Sequence, residues 1–286
     1  MAKVTFTITS FPHSPSAKAL LMAGVLLLCC HAVAAQQTFG YVLELRGDWY
    51  LNGSTKLSKG SSVTAGSSIS TTSPADESAY IVVADRSGRV FGRRDCGKHQ
   101  CNGNMKLPAS AGGSTSLTSR LVGAVMALIS DDPGKYVSLI SRGEADPVDG
   151  VVKLAASGVS LQDIFRPMPG GKYLLRFDSV AKGTAPVTRD VESFTFDWNP
   201  ERPAPLIVKG VRPSLYRLSL LEVNGKRPTG QEAWVLLVTP QNFAHAQSSY
   251  NSVLDLTKSW GKQIEPTSTR EFLRAALESI ASQTSQ

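Results

Sequence analysis

The chain has 286 residues, a net charge of +7, 42% hydrophobic residues and 19% charged residues. Its 24 glycines and 16 prolines are close to average usage, which excludes a collagen-like or low-complexity chain, and the apolar content excludes a disordered one. The length accommodates two modest domains.

The first 35 residues have the pattern of a secretory signal peptide. Lys3 and Lys18 precede an uncharged apolar run over 19–30, and the small residues Val33 and Ala35 fit a cleavage site. The run is short for a bilayer span of about 20 residues, and an uncleaved anchor is the alternative. The sequence therefore predicts an exported protein, periplasmic or secreted, without a mature transmembrane segment.

The mature chain carries its positive excess in one short region. Without the signal peptide it has 28 basic and 23 acidic residues, and the stretch 86–106 has six basic residues and one acidic residue. The pattern is typical of a solvated hairpin whose charges prevent strand pairing at an edge. The alternative is a candidate surface for an anionic envelope protein or glycan, with no specific nucleic acid. The six residues are Arg86, Arg89, Arg93, Arg94, Lys98 and Lys106.

The cysteines fit the same compartment. Cys29 and Cys30 leave with the signal peptide, so that Cys96 and Cys101 remain. An even pair in an oxidising environment predicts a disulfide that closes a short loop. The alternative is a zinc site formed by both cysteines and His99, but it lacks a nearby fourth ligand. We therefore expect no metal and no cofactor.

Residues 39–107 read as short strands separated by Gly, Ser and Asn. Tyr41, Leu43 and Leu45 occupy every second position, the period that sends alternate side chains to one face of a strand. Asn52-Gly53 is a hairpin signal. Regular short strands with turns between them indicate a small all-β unit.

The order of these segments resembles the FecR-type β domain. The resemblance covers about a quarter of the chain, residues 36–110, and implies a β module in an extracytoplasmic protein, without catalytic residues. Known members of that family relay an iron-siderophore signal to an anti-sigma machinery, so an envelope signalling component is an alternative function. The matching segments are Gly40–Val42, Leu57–Gly60, Val63–Gly66, Ile69–Thr71, Ala79–Ile81 and Asp85–Val90.

Residues 111–164 are predicted to form a helical linker. Leu117, Leu121, Val125 and Leu128 are spaced three and four apart, which is the stripe of an amphipathic helix. We expect this helix to pack between two β units, and a partner-binding helix is the alternative.

A second β unit is predicted over 165–241. Phe194, Phe196 and Trp198 alternate with polar residues, which indicates a half-buried strand. The strand spacing suggests an immunoglobulin-like β-sandwich, whose core these aromatic residues fill, with a sugar-binding platform as the alternative.

Residues 242–286 are predicted to be helical. A first helix covers 242–260, and Ser268–Glu271 has the pattern of a capping box that opens a second one. The fold class is therefore mainly β with peripheral helices, the C-terminal ones included.

No sequence motif names a reaction. A nucleophile elbow, a zinc-protease motif, a phosphate-binding loop and a dinucleotide fingerprint are all missing. We therefore expect a non-catalytic exported binding protein. The alternative is an extracytoplasmic hydrolase that uses two carboxylates from the set Asp178, Glu192, Asp197 and Glu222.

Overall fold

The structure, a computed structural model, describes residues 37–97, 101, 104–110, 116–131, 151–156, 159–180, 192–201, 207–208, 211–223 and 227–284. From Thr38 onward the described residues form a single structural unit. The predicted signal peptide lies outside the described residues.

Eight short strands form two antiparallel sheets in the first part of the chain. The first sheet has the order β4-β1-β6-β7 and the second β3-β2-β5-β8, and they enclose a core around Trp49 and Ile81. The strands are β1 (Thr38–Arg46), β2 (Trp49–Leu51), β3 (Thr55–Lys56), β4 (Ser62–Thr64), β5 (Ser68–Thr71), β6 (Tyr80–Asp85), β7 (Val90–Asp95) and β8 (Met105–Lys106).

Three helices and a five-stranded mixed sheet follow. The sheet has the order β12-β11-β14-β15-β9, in which β9 pairs with β15 in parallel, and β10 pairs with β13 separately. None of the described helices is both long and apolar enough to cross a bilayer. The elements are α1 (Leu117–Asp131), β9 (Val151–Ala155), β10 (Val159–Ser160), β11 (Gly171–Ser179), β12 (Glu192–Trp198), β13 (Ile207–Val208), β14 (Ser214–Glu222), β15 (Arg227–Leu237), α2 (Pro240–Trp260) and α3 (Pro266–Thr284).

The helices form a layer between the first sheet and the five-stranded sheet. Val82 and Ala84 of β6 share one apolar cluster with Trp234 and Leu236 of β15 and with buried residues of all three helices. The alternate residues of β6 face the second sheet instead. Burial on both faces explains why β6 is an almost unbroken apolar run.

The mainly β class with C-terminal helices is confirmed, but the helices are not peripheral. The middle of α3, from Phe272 to Ile280, is almost entirely buried, and α3 contacts both other helices and three strands of the five-stranded sheet. Two sheets each present an apolar face, and one shared helical layer buries both faces at once.

The strands predicted as an immunoglobulin-like sandwich over 165–241 lie mainly in the one five-stranded sheet. Helices cover one of its faces, where a sandwich has a second sheet. Phe196 and Trp198 are buried in the core on the other face, so these rings fill space and do not form a sugar-binding platform.

The structure also differs within the predicted helical linker. The helix is present as α1, but Val151–Ala155 form the strand β9. Val152 and Leu154 pack on the helical layer, and Val151 and Ala155 pack on the opposite core. A short strand with apolar residues on both faces has no period of two that would distinguish it from other apolar runs.

The residues of the predicted capping box have another role. α3 begins earlier, at Pro266, a residue that suits the first helical turn. The hydroxyl of Ser268 donates to the Glu44 carboxylate at 2.8 Å, and the Lys59 ammonium pairs with the carboxylate of Glu271. These contacts anchor α3 to the first sheet and to the loop after β3.

Burial of Tyr250 makes stability sensitive to alkaline pH. Its side chain is buried in the helical layer, and its hydroxyl donates to the Val152 carbonyl at 3.1 Å. Desolvation raises the pKa of Tyr250 above its ordinary value of 10.0. Above about pH 10 the unfolded chain loses the Tyr250 proton while the folded protein keeps it. The contribution of Tyr250 to the free energy of unfolding is therefore complete below about pH 10 and declines as the pH rises further.

We expect Tyr250→Phe to reduce this alkaline loss of stability. The measurement is the free energy of unfolding in urea at a series of pH values for both proteins. Curves that stay parallel above pH 10 would contradict the assignment to Tyr250.

Candidate binding surface at the β6–β7 hairpin

A tight turn over 85–89 closes the hairpin between β6 and β7. The Oδ1 atom of Asp85 accepts hydrogen bonds from the Ser87 N–H at 2.8 Å, the Ser87 hydroxyl at 2.6 Å and the Arg89 N–H at 3.2 Å. An aspartate that bonds the backbone two residues later is a common turn device. Asp85 thus fixes the shape of the turn that carries Arg86 and Arg89.

The tip of this hairpin is docked against α1 and α2. Gly88 has a φ of +83°, and a Cβ atom there would lie 2.6 Å from Leu256 Cδ2 and 3.1 Å from Val122 Cγ2. The indole N–H of Trp260 donates to the Gly88 carbonyl at 2.8 Å in a buried hydrogen bond. Glycine fits both the conformation and the close approach. The hairpin is therefore held against the helices.

The structure distributes the predicted basic residues over several places. Consecutive residues of a strand point to opposite faces, so Arg93 and Arg94 of β7 do not share a surface. Arg86 and Arg89 lie at the turn, and Lys106 lies on β8. Lys98 lies outside the described residues.

Arg93 has structural contacts. It lies opposite Val82 of β6, and its guanidinium donates to the Gln263 carbonyl at 2.7 Å. The guanidinium carbon lies 4.6 Å from the centroid of the Tyr80 ring, and Asp95 is an ion-pair partner at 3.7 Å. Arg93 therefore ties β7 to the segment between α2 and α3.

Phe91 is a part of this surface that the sequence analysis did not single out. It lies on β7, at the edge of the first sheet, and is 44% exposed. Its ring meets the Phe39 ring edge-on, with the centroids 4.9 Å apart. Sequence reasoning ordinarily assigns a single phenylalanine in a strand to the core. The exposure of Phe91 depends on the position of β7 at the edge of its sheet, which the local sequence does not show.

A cleft of about 630 Å³ lies beside the hairpin tip. A second cleft of about 350 Å³ shares Thr118 and Ser252 with it and extends to His245. These volumes are in the range of ligand sites, and hydroxyl groups both donate and accept hydrogen bonds. The first cleft is lined by Asp85, Ser87, Arg89, Ser116, Thr118, Ser119, Ser252, Asp255, Leu256 and Ser259.

Beyond the other end of β7, Cys96 and Cys101 form the predicted disulfide. Their Cα atoms are 4.9 Å apart, and both residues are buried in the core between the first two sheets. The two sulfurs are bonded to each other, so the alternative zinc site with His99 is wrong. His99 itself lies outside the described residues. Within the part of the chain that the structure describes, no three potential metal ligands come together.

We expect the double variant Cys96→Ser/Cys101→Ser to lose roughly 2 kcal/mol of stability, because a short loop restricts the unfolded chain only modestly. Urea unfolding of the oxidised protein, the reduced protein and the variant measures this loss. The reduced protein should match the variant, and a variant as stable as the oxidised protein would contradict the prediction.

Three of the four candidate carboxylates of the hydrolase alternative, those of Asp178, Asp197 and Glu222, do not converge. Asp178 forms ion pairs with two arginines of its sheet, and Asp197 lies opposite the other end of β11, roughly 20 Å away. Glu222 pairs with Tyr173 and therefore points to the same face of the sheet as the Tyr173 ring. Asp178 and Asp197 point to the opposite face. The side chain of Glu192 lies outside the described residues.

Comparisons of the chain with protein-family models, with curated proteins and with solved structures found no match. The likeness to the FecR-type domain therefore remains a likeness in the order of residues.

Proposed function

We propose that this chain is an exported, non-catalytic binding protein whose β6–β7 hairpin surface recognises an anionic partner, an envelope protein or a glycan. One observation carries the proposal: the hairpin with Arg86 and Arg89 is fixed through Gly88 and Trp260 beside a cleft of about 630 Å³. A surface that is rigid before contact loses less conformational entropy when a partner binds.

The charge of the surface supports an anionic partner. Of the basic residues in the stretch 86–106, the structure places Arg86 and Arg89 together at the turn, and Arg89 lines the cleft with Asp85 and Asp255. Positive charges at the turn raise the local concentration of anionic partners and accelerate their association. The hydroxyl groups of the cleft add hydrogen bonds for the oxygen atoms of such a partner.

Export is part of the proposal and has two supports. The first 35 residues have the signal-peptide pattern. The disulfide between Cys96 and Cys101 is of a kind that persists in oxidising compartments. We also propose that residues 36–110 are a FecR-like module, supported by the strands and turns that its matching segments occupy, such as Gly40 in β1 and the turn from Asp85 to Gly88.

The test reverses two charges at the hairpin. We expect wild-type protein to bind dextran sulfate at low salt and to release it as the ionic strength rises, because exposed charges are screened. Arg86→Glu/Arg89→Glu should lower the affinity by about tenfold or more. Isothermal titration calorimetry at several salt concentrations measures both effects.

The control is Lys172→Glu/Arg212→Glu, which makes the same change in net charge at exposed positions on the five-stranded sheet and the loop before β14. Its affinity should stay within about twofold of wild type at moderate salt. An equal loss in the two double variants would show that net charge, and not the hairpin, governs binding and would refute the proposed surface.

A further inference from the structure

We infer that β7 is an acceptor edge for an extended acidic segment of a partner protein, which adds as a further strand to the first sheet with Phe91 as its apolar anchor. The inference rests on the proposed function, because it specifies the chemistry of the anionic partner and how this partner is held.

The backbone of β7 supplies the first argument. β7 is the last strand of the order β4-β1-β6-β7, and within the described part of the chain it pairs with β6 alone. The register with β6 shifts at Phe91, and from Gly92 onward alternate N–H and C=O groups point away from the sheet, in the geometry that an added strand uses. Main-chain hydrogen bonds to an added strand provide affinity in this kind of recognition.

The exposure of Phe91 supplies the second argument. An apolar side chain beside an open sheet edge gives an added strand a surface on which to pack. Phe91 is 44% exposed and is the only exposed large hydrophobic residue among the described residues. Its contact with Phe39 holds the ring in place, so that a partner side chain can pack on it at low entropic cost.

The charges around the edge supply the third argument, because they select the partner. Arg89 directly precedes β7 and is exposed, as is Lys106 on β8. The side chains of β7 and β8 approach each other, since a Cβ at Gly92 would lie 3.9 Å from Met105 Cε. Positive charge at an edge repels basic strands, and pairing with a neutral strand would bury that charge without a counter-charge. An acidic strand supplies the counter-charge and is attracted. The same charges that protect the edge from most chains therefore favour an acidic partner.

The test compares two peptides of equal charge. The first alternates Glu and Val along an extended chain, and the second has the same sequence with alternate backbone amides N-methylated, which removes the donors needed for strand pairing. We expect the unmodified peptide to bind wild-type protein at least about tenfold more tightly. Amide hydrogen exchange should slow over residues 89–97 on binding and stay unchanged at β12, an edge strand of the five-stranded sheet.

Two variants separate the anchor from the fold. Phe91→Ala should weaken binding of the unmodified peptide by about tenfold. The ring is 44% exposed and lies outside the buried core, so the variant should remain folded, which its melting curve checks. Thr195→Ala, at an exposed position on β12, is the matched control and should bind like wild type.

The outcomes distinguish the two proposals. Equal binding of both peptides, or slower exchange only outside 89–97, overturns the strand-pairing inference and leaves the proposed function standing. If dextran sulfate binds and neither peptide does, the strand-pairing inference is likewise overturned and the proposed function stands. If neither peptide nor dextran sulfate binds, the inference and the proposed function both fail.

Discussion

Gly40→Ala is expected to lower the stability by roughly 3 kcal/mol or more, enough to unfold a marginally stable protein. A Cβ atom at this position would lie 1.8 Å from the Ala84 carbonyl oxygen and 2.8 Å from Asp85 Cα. These are backbone atoms of β6, which pairs with β1 at this point. They cannot retreat without breaking the ladder, so the added methyl group has no space.

Gly92→Ala is the matched control for this substitution in the same sheet. A Cβ there would meet only the flexible end of Met105, at an ordinary contact distance of 3.9 Å. Its stability should remain within about 0.5 kcal/mol of wild type. Urea unfolding followed by circular dichroism measures both variants, and equal stability of the two would disprove the close approach of β1 and β6 at Gly40.

Trp260→Ala should cost roughly 3–5 kcal/mol, as expected for removal of a large buried ring. The indole is 2% exposed and meets the Phe272 ring edge-on, with the centroids 4.9 Å apart. The variant leaves a cavity in the helical layer and deprives the Gly88 carbonyl of its buried donor. Thermal and urea unfolding measure the loss.

Trp260→Phe isolates the hydrogen bond from the packing. It retains most of the apolar ring but cannot donate to Gly88, so that a loss of about 1–3 kcal/mol is expected from the unsatisfied carbonyl. Under conditions where this variant is fully folded, hydrogen exchange at residues 85–90 should become faster and dextran sulfate should bind more weakly. Unchanged exchange at the hairpin would show that Trp260 does not hold it.

The alternating pattern predicted the strand β1 but not its full geometry. Tyr41 and Leu43 face the helical layer as one set, whereas Leu45 packs with the core of the first two sheets. A register shift between Val42 and Glu44 exchanges the faces. Such a bulge adds one residue to one strand, and its position depends on the partner strand, which the local sequence does not specify.

The helices were predictable as helices but not as the centre of the fold. Glu271, Arg274 and Glu278 make α3 resemble a helix with a solvated face, yet all three are buried. Lys59 pairs with Glu271, and the Arg274 guanidinium lies 5.6 Å from the centroid of the Trp234 ring. These partners come from distant parts of the chain, so the pattern of α3 alone could not reveal the burial.

The proposed binding surface was predictable from composition only in part. The cluster of basic residues is visible in the sequence, because the charge is concentrated in a short stretch. The contact between Gly88 and Trp260 spans 172 positions and follows from the tertiary fold. The separation of Arg93 from Arg94 and the exposure of Phe91 likewise depend on which strand lies at the edge of the sheet.

The central position of α3 dictates an order of assembly. The ribosome delivers Phe272–Ile280 after all the strands of the described chain, yet these residues fill the space between the sheets. Until they emerge, the nascent chain exposes the apolar faces that they later cover and is a natural client for chaperones. The two sheets therefore pack into one body only once α3 has been made.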